Sequence, residues 1–231
     1  MNNQPLVSVI ISVFNDDKNI ESSIKSILNQ SYQNIEICVL DDGSTDETFL
    51  ICNELKKNHN NIKLYKNQQN EGLTKSLNFL IDKSTGYFIA RQDSDDISYK
   101  NRIFDQVYFL KNNNLKVCTS RAKIKNSNRK IPKISFYFPT RTLIKFKNPF
   151  IHGTLMIEKS LLLDIGKYNE KFKYAQDYML FAKLTKNNIP IGKLNKVLYE
   201  LNMKDNISTK YKEEQKYFSD LVKEYIKEKL F

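Results

Sequence analysis

Apolar runs and polar clusters alternate regularly over the first part of the chain. Residues 6–14 (LVSVIISVF) form a nearly unbroken apolar, β-branched run, the pattern of a strand buried on both faces of a parallel sheet. After polar residues 15–19, Ile20, Ile24, Ile27 and Leu28 recur at helical spacing. Residues 35–40 (IEICVL) predict a second strand and 45–57 a helix with Phe49, Cys52 and Leu55 on one face. Residues 62–65 predict a short third strand, and 73–81 a helix carrying Leu73, Leu77 and Leu80. The run at 87–90 after Gly86 predicts a fourth strand that leads into Asp93, Asp95 and Asp96.

This βαβαβαβ alternation predicts an α/β protein: a Rossmann-like, mostly parallel central sheet flanked by helices on both faces. In such sheets ligands sit beyond the carboxyl ends of the strands. The polar clusters at 12–17, 41–46 and 93–96 all fall at that edge. Further on, the patterning predicts a helix at 98–110, a strand at 115–119, loops and short elements over the Pro-containing 121–147, and a strand at 154–157. A short helix at 160–164, a helix at 176–185 and a strand at 197–201 follow. Phe218, Leu221, Val222, Tyr225 and Ile226 then mark an amphipathic C-terminal helix, which either caps the protein or touches a membrane. No linker or repeat interrupts the chain. Residues 1–231 are therefore expected to form a single domain, with 1–97 and 98–203 as its two halves and 204–231 as the terminal helix.

Composition narrows the class. Forty per cent hydrophobic and 27% charged residues are those of a soluble globular protein. No apolar run is long enough to cross a bilayer, and the opening MNNQPL carries no signal-peptide pattern. Cys38, Cys52 and Cys118 are odd in number and widely spaced, which suits neither a disulfide framework nor a zinc site and points to a reducing cytoplasm. The formal net charge is +11. Residues 106–157 contain no Asp or Glu but eleven Lys and Arg, so this span carries the whole excess. One-signed clustering implies an anionic partner: nucleic acid, a membrane surface or a phosphorylated substrate.

The aspartates carry the candidate chemistry. Side chains alternate along an extended chain, so Asp93 and Asp95 are expected to share a face at the end of the fourth strand. Two adjacent carboxylates repel unless a cation lies between them. A divalent metal that also carries a phosphate-bearing ligand satisfies that need. A solvated turn with a helix N-cap is the simpler alternative. There is no G-x-G-x-x-G and no Walker A sequence.

Several stretches together resemble the inverting glycosyltransferases of family 2, which adopt the GT-A fold. VSVIISVFN (7–15) resembles the family's opening strand and VLDDGSTDET (39–48) its nucleotide-binding turn. NEGLTKSLN (70–78) is similar to its third motif, and ARQDSDD (90–96) looks like its D-x-D metal motif. FIHGTLMIEKSLLLDIGKYNEKF (150–172), followed by QDYMLFAKL (176–184), resembles its acceptor-side signature. Any one motif is weak, whereas five in order are specific.

The resemblance implies roles. Ser12 and Phe14 would line the base and ribose of a nucleotide sugar, with uridine diphosphate as the expected carrier. Asp42 would accept the uracil N3–H. Lys75 would approach the base or pyrophosphate, unless it is a solvated helix lysine. Asp93 would hold the ribose, and Asp95 would bind Mn²⁺ or Mg²⁺, for which hard oxygen ligands are suited. Asp177 matches the catalytic base that takes the proton of the acceptor hydroxyl. His152 would contact phosphate or acceptor, unless it is structural.

Two features depart from the family. Gln176 stands where a Glu commonly precedes the base, and the chain ends sooner than many relatives. By family analogy the acceptor would be a glycan or lipid-linked saccharide in bacterial capsule, lipopolysaccharide or lipooligosaccharide assembly. The protein would be cytoplasmic, or peripheral on the inner face of the membrane. Two rivals remain: a nucleotidyltransferase, and a basic nucleic-acid-binding module. The second lacks a recognition motif, so nucleic acid is not expected as a partner.

Overall fold

The computed structural model describes residues 4–203 and 211–228. The first three residues of MNNQPL, and residues 204–210 and 229–231 of the expected terminal helix, lie outside the described residues. Strands β1 (Val7–Val13), β2 (Ile35–Asp41), β3 (Ile62–Lys66) and β4 (Phe88–Arg91) pair in parallel in the order β3-β2-β1-β4, with Val7 opposite both Ile35 and Phe88. Alternate residues of the apolar run at 7–13 feed two separate cores. Val7, Val9, Ile11 and Val13 pack under helices α1 (Ile20–Leu28) and α2 (Thr48–Asn58) through Ile20, Ile24, Ile27, Cys52 and Leu55. Ile10 packs on the opposite face with Leu77, Leu80 and Ile81 of helix α3 (Leu73–Lys83). A nearly unbroken apolar run is therefore what a strand covered by helices on both sides needs.

Beyond β4 the sheet changes character. Strand β8 (Met156–Glu158) joins β4 antiparallel, and β6 (Val117–Ile124) joins β8 antiparallel. Strand β9 (Gly192–Leu201) runs parallel to β6, and the two-residue β5 (Ile97–Ser98) pairs antiparallel with its end. The short β7 (Lys130–Ile131) hairpins back on β6. Helix α4 (Arg102–Asn112) covers the first core with Ile103, Val107 and Leu110. Helices α6 (Lys159–Asp164), α7 (Gln176–Lys186) and α8 (Lys212–Lys227) cover the second. Val222 and Ile226 of α8 are buried there, so the described part of the terminal helix caps the protein. Between β7 and β8 lie a 3-10 turn (Ile134–Tyr137) and helix α5 (Thr140–Leu143), as the weak periodicity predicts. The helix expected from residue 98 begins at Arg102, because Ile97 and Ser98 pair with Glu200 and Tyr199 of β9.

Candidate active site

Strands β1, β2 and β4 are parallel, so the loops after them meet at one edge, as expected. Hydrogen bonds tie these loops into one rim. The Asn15 N–H donates to Ser44 Oγ (2.9 Å), the Thr45 N–H to Asn15 Oδ1 (2.8 Å), and the Asp16 N–H to Thr48 Oγ1 (2.9 Å). The Ser94 hydroxyl donates to Asp16 Oδ2 (2.6 Å), which links the first loop to the aspartate turn. Gly43 is left-handed (φ 78°), and a Cβ there would lie 2.6 Å from the Gln69 carbonyl carbon. Glycine is thus required where the DDGS turn presses on the loop before α3.

Each residue predicted for the nucleotide lies on or near this rim. Ser12 is half-buried opposite Leu40 in β1, and Phe14 exposes 46% of its surface at the strand's end. Asp42 is buried, and its carboxylate accepts bonds from Asn67 Nδ2 (2.6 Å) and from the N–H groups of Glu71 (3.0 Å) and Gly72 (2.9 Å). Three of its roughly four acceptor positions are therefore used in holding the loop ahead of α3. Neighbouring Asp41 is also fully buried; one of its oxygens takes the Ser44 N–H (3.1 Å) and the other has no hydrogen-bond partner. Lys75 is exposed and paired with Glu71 across one helical turn (3.0 Å).

The aspartates after β4 do not continue the strand. The Asp96 N–H reaches back to the Asp93 carbonyl (3.4 Å), so residues 93–96 turn, and the strand-alternation argument for a shared face does not hold. The groups are nonetheless close enough to interact. Asp95 is pushed up to about 6 by burial and then by the carboxylates of Asp93 and Asp16. Asp96 is also raised, by burial first and then by Asp93 and Asp95, although it accepts the Asn202 N–H (2.6 Å). Arg91, almost fully buried, pairs with Asp93 through Nη2 and Oδ1 (2.5 Å).

Beneath the turn lies a buried polar network. Gln92 Nε2 donates to the Asp96 carbonyl (2.8 Å), and Arg102 donates to Gln92 Oε1 (2.9 Å), Ser98 Oγ (2.7 Å) and the Arg91 carbonyl (2.6 Å). The Arg102 guanidinium lies 4.8 Å from the centre of the Tyr199 ring, and the Tyr199 hydroxyl accepts the Asp93 N–H (3.0 Å). A Cβ on Gly153 would lie 2.5 Å from that hydroxyl, so glycine makes room for it.

The donor set at the turn suits a hard divalent cation held by one or two carboxylates, with the remaining positions left for phosphate oxygens. Burial raises Asp95 most, and the repulsion from Asp93 and Asp16 that adds to the rise is what such a cation would relieve. No cage of three or more His, Cys, Asp or Glu side chains occurs among the described residues.

The acceptor-side signature converges on the same region. Asp177 begins α7 after Ala175, which is left-handed (φ 52°). Its carboxylate accepts Asn148 Nδ2 (2.7 Å) and the Tyr178 N–H (2.8 Å). Burial pushes Asp177 up to about 6 despite these bonds, and Asp93 adds to the rise. His152 meets the Tyr168 hydroxyl through Nε2 (2.7 Å), and burial together with the Arg91 charge lowers its imidazole to about 3. His152 is thus a neutral ring beside Arg91. His152, Arg91, Tyr168 and Asp177 share one electrostatic neighbourhood with Asp93.

Patterning alone missed Arg91, Arg102, Asn148, Tyr168 and Tyr199. A charged residue directly at the end of an apolar run, as Arg91 is, was the one available signal. An open hollow of about 240 Å³ lies elsewhere, beside Pro5, Tyr32 and Phe104. The carboxylates instead line an open rim, where a polar substrate and its phosphates could enter.

Similar proteins point to the same family and fold. Residues 8–167 match the family described as Glycosyl transferase family 2, a stretch that includes the aspartate turn and His152 and stops ten residues short of Asp177. The chain is 32% identical over 206 residues to the putative glycosyltransferase EpsE of Bacillus subtilis, covering 87% of this chain and 74% of that one. It is 31% identical to the O-antigen biosynthesis glycosyltransferase WbnJ of Escherichia coli, covering 78% and 71%. The crystal structure of Staphylococcus aureus TarS 1-349 in complex with UDP-GlcNAc superposes with a TM-score of 0.79 at 26% identity, over 94% of this chain and 65% of that one. The chain thus spans just under two thirds of that solved structure. With the sheet, the rim and these relatives in agreement, the chain belongs to glycosyl transferase family 2 and has the GT-A fold.

Proposed function

We propose that the protein is a metal-dependent, inverting glycosyltransferase. It moves a sugar from a nucleoside diphosphate donor, with uridine as the expected base, to a hydroxyl of a glycan or lipid-linked saccharide in bacterial surface-polysaccharide assembly. The observation that carries the reading is the meeting of two carboxylate systems in one electrostatic neighbourhood: the repelling Asp93–Asp95 turn and the raised, hydrogen-bonded Asp177. Similarity to a structure holding UDP-GlcNAc and to an O-antigen enzyme supports the donor and pathway class. Three unpaired, buried cysteines support a cytoplasmic setting. No described helix is long and apolar enough to cross a membrane.

In this reading residues 1–97 form the donor half. Phe14 offers an exposed ring for the base, Ser12 lies beside it, and Asp42 has one acceptor position left for a base N–H. Asp93, steadied by Arg91, faces the ribose, and Lys75 lies near the diphosphate end. Asp95, with Asp93 beside it, would hold Mn²⁺ or Mg²⁺; when bound, such an ion supplies positive charge to a departing diphosphate.

Residues 98–203 form the acceptor half. Asp177 takes the proton of the acceptor hydroxyl as its oxygen bonds to the anomeric carbon and the bond to the diphosphate breaks on the opposite face. One displacement inverts the configuration. A carboxyl near 6 is ionised at neutral pH yet basic enough to receive that proton. Neutral His152, held by Tyr168, offers a hydrogen bond to acceptor or phosphate without adding charge.

Calorimetric titration with uridine diphosphate, with and without Mn²⁺, tests the reading. Binding is expected to depend on the metal, and Asp95→Asn is expected to abolish that dependence. The same substitution removes a carboxylate that is repelled in the fold, so the variant should melt above the wild type at pH 7. Because the folded-state value of Asp95 is raised, its stabilising contribution is present below about 4 and lost as pH rises through about 6; the gap between the two proteins should therefore close at low pH. Uridine diphosphate binding that ignores the metal in both proteins would sink the metal assignment.

A further inference from the structure

The acid-free span at 106–157 is not absorbed by the donor site, and the structure sorts its rings. Phe136 and Phe150 are buried, whereas Ile134 (74%), Tyr137 (67%), Phe138 (50%) and Phe146 (69%) are exposed. These four lie within thirteen residues. Ile134 and Tyr137 are three apart in a 3-10 turn, where side chains at that spacing eclipse and share a face. Water-facing apolar side chains this dense mark an interaction surface rather than scattered exposure.

The segment is not loosely held. Phe136 anchors it from below beneath the Arg121 guanidinium, which lies 5.5 Å from the ring centre. Lys193 Nζ donates to the carbonyls of Phe136 (2.6 Å) and Phe138 (2.8 Å), and Ile144 is fully buried. The outward rings are therefore presented by a fixed backbone. Lys130, Lys133, Arg141 and Lys147, all exposed, flank and separate them along the chain, and none forms an ion pair with a carboxylate among the described residues. Apolar side chains interspersed with cations that no carboxylate neutralises, Arg141 donating only to the Asn188 side-chain carbonyl, fit an anionic bilayer, where rings enter the interface and each Lys or Arg strengthens binding about fivefold. A second copy of the chain would bring the same positive charge against itself.

The far end of this segment is bolted to the catalytic helix. The Tyr178 hydroxyl donates to the Ile144 carbonyl (2.5 Å), and Asn148 holds Asp177. We propose that the face formed by residues 130–147 docks the protein on an anionic lipid bilayer and so presents Asp177 to an acceptor carried by that membrane. The docking stands on the surface itself; the acceptor clause rests on the transfer reaction proposed above.

Co-sedimentation tests it, using vesicles of phosphatidylcholine alone or mixed with phosphatidylglycerol, at low and high salt and without nucleotide. The wild type is expected to pellet only with the anionic vesicles and to be released by salt. Two variants, Tyr137→Ser/Phe138→Ser/Phe146→Ser and Lys133→Glu/Arg141→Glu, should each bind at least tenfold more weakly while retaining uridine diphosphate binding and a cooperative melt at high salt like that of the wild type. Phe104→Ser/Tyr108→Ser, on exposed rings of α4, should bind vesicles like the wild type. The proposal is overturned by a wild type that stays in the supernatant at low salt, by undiminished pelleting of both variants, or by variants that differ from the wild type only in losing a dimer. Failure of the wild type to bind uridine diphosphate would sink the transfer reading and leave the vesicle result standing.

Discussion

At the scale of single residues, Asp177 is set apart by how it is held. Its helix starts from Ala175 in the left-handed region, a conformation that costs a non-glycine residue about 1–2 kcal/mol and persists where surrounding structure enforces it. The strain fixes where the first turn of α7 points, and Asn148 then orients one carboxylate oxygen. Replacement by Asn keeps the shape and removes the basicity. Asp177→Asn is therefore expected to lower kcat about a hundredfold or more while leaving donor affinity nearly unchanged. The wild-type rate should climb as pH rises through about 6, because only the ionised carboxyl accepts a proton, and the variant should lack that limb. Steady-state kinetics across pH, with donor affinity measured separately, would check both. A loss of donor binding instead would move Asp177 into the nucleotide site.

At the scale of elements, the aspartate turn is only as stable as the strand beside it. Strand β9 brings the Tyr199 hydroxyl to the Asp93 N–H, and the Asn202 N–H just past its end donates to Asp96. Tyr199→Phe would leave a backbone donor without its partner at about 1–3 kcal/mol. The expected outcome is a lower melting temperature, several-fold weaker metal-dependent diphosphate binding, and an unchanged dependence of rate on Asp177. Binding equal to wild type would show that the turn holds without the Tyr199 hydroxyl.

This support was invisible in the pattern, for a physical reason. Strands β1, β2 and β4 are wrapped on both faces, so nearly every position is buried, most are apolar and the run stands out. Strand β9 (GKLNKVLYEL) pairs with β6 through register shifts at Ser120–Arg121 and Arg121–Ala122, and it exposes Asn195 and Lys196. Its polar positions break the apolar run, so only residues 197–201 were legible. The same contrast holds at the site. Asp93 and Asp95 were readable as a close carboxylate pair from the family resemblance, although not as neighbours on a strand face, whereas Arg102 and Tyr199 meet across almost a hundred residues of chain.

At the scale of the whole molecule, charge is the unbalanced quantity. The formal excess of +11 equals the basic residues of the acid-free span, so like charges crowd one part of the surface. Opposing this are short ion pairs such as Lys25–Glu21 (2.6 Å) and Lys196–Asp105 (2.9 Å), whose lysines are more than half exposed. Such surface pairs contribute about 0–1 kcal/mol each. Salt weakens both effects, but not equally. At about 10 mM the screening length is roughly 30 Å, so cations repel across the molecule; at about 150 mM it is roughly 8 Å, and only near neighbours interact. Long-range repulsion is therefore screened before contact pairs, and added sodium chloride should stabilise the fold. A gain of about 1 kcal/mol corresponds to a rise of about 2–4 °C in Tm for a chain of this size. The rise should be smaller in Lys133→Glu/Arg141→Glu, whose formal charge falls from +11 to +7, each substitution removing two. Thermal melts of both proteins at low and moderate sodium chloride, without nucleotide or metal, decide the matter. A wild-type Tm that falls as salt is added would mean that the contact pairs outweigh the repulsion, and that the basic span is better neutralised within the fold than its composition indicates.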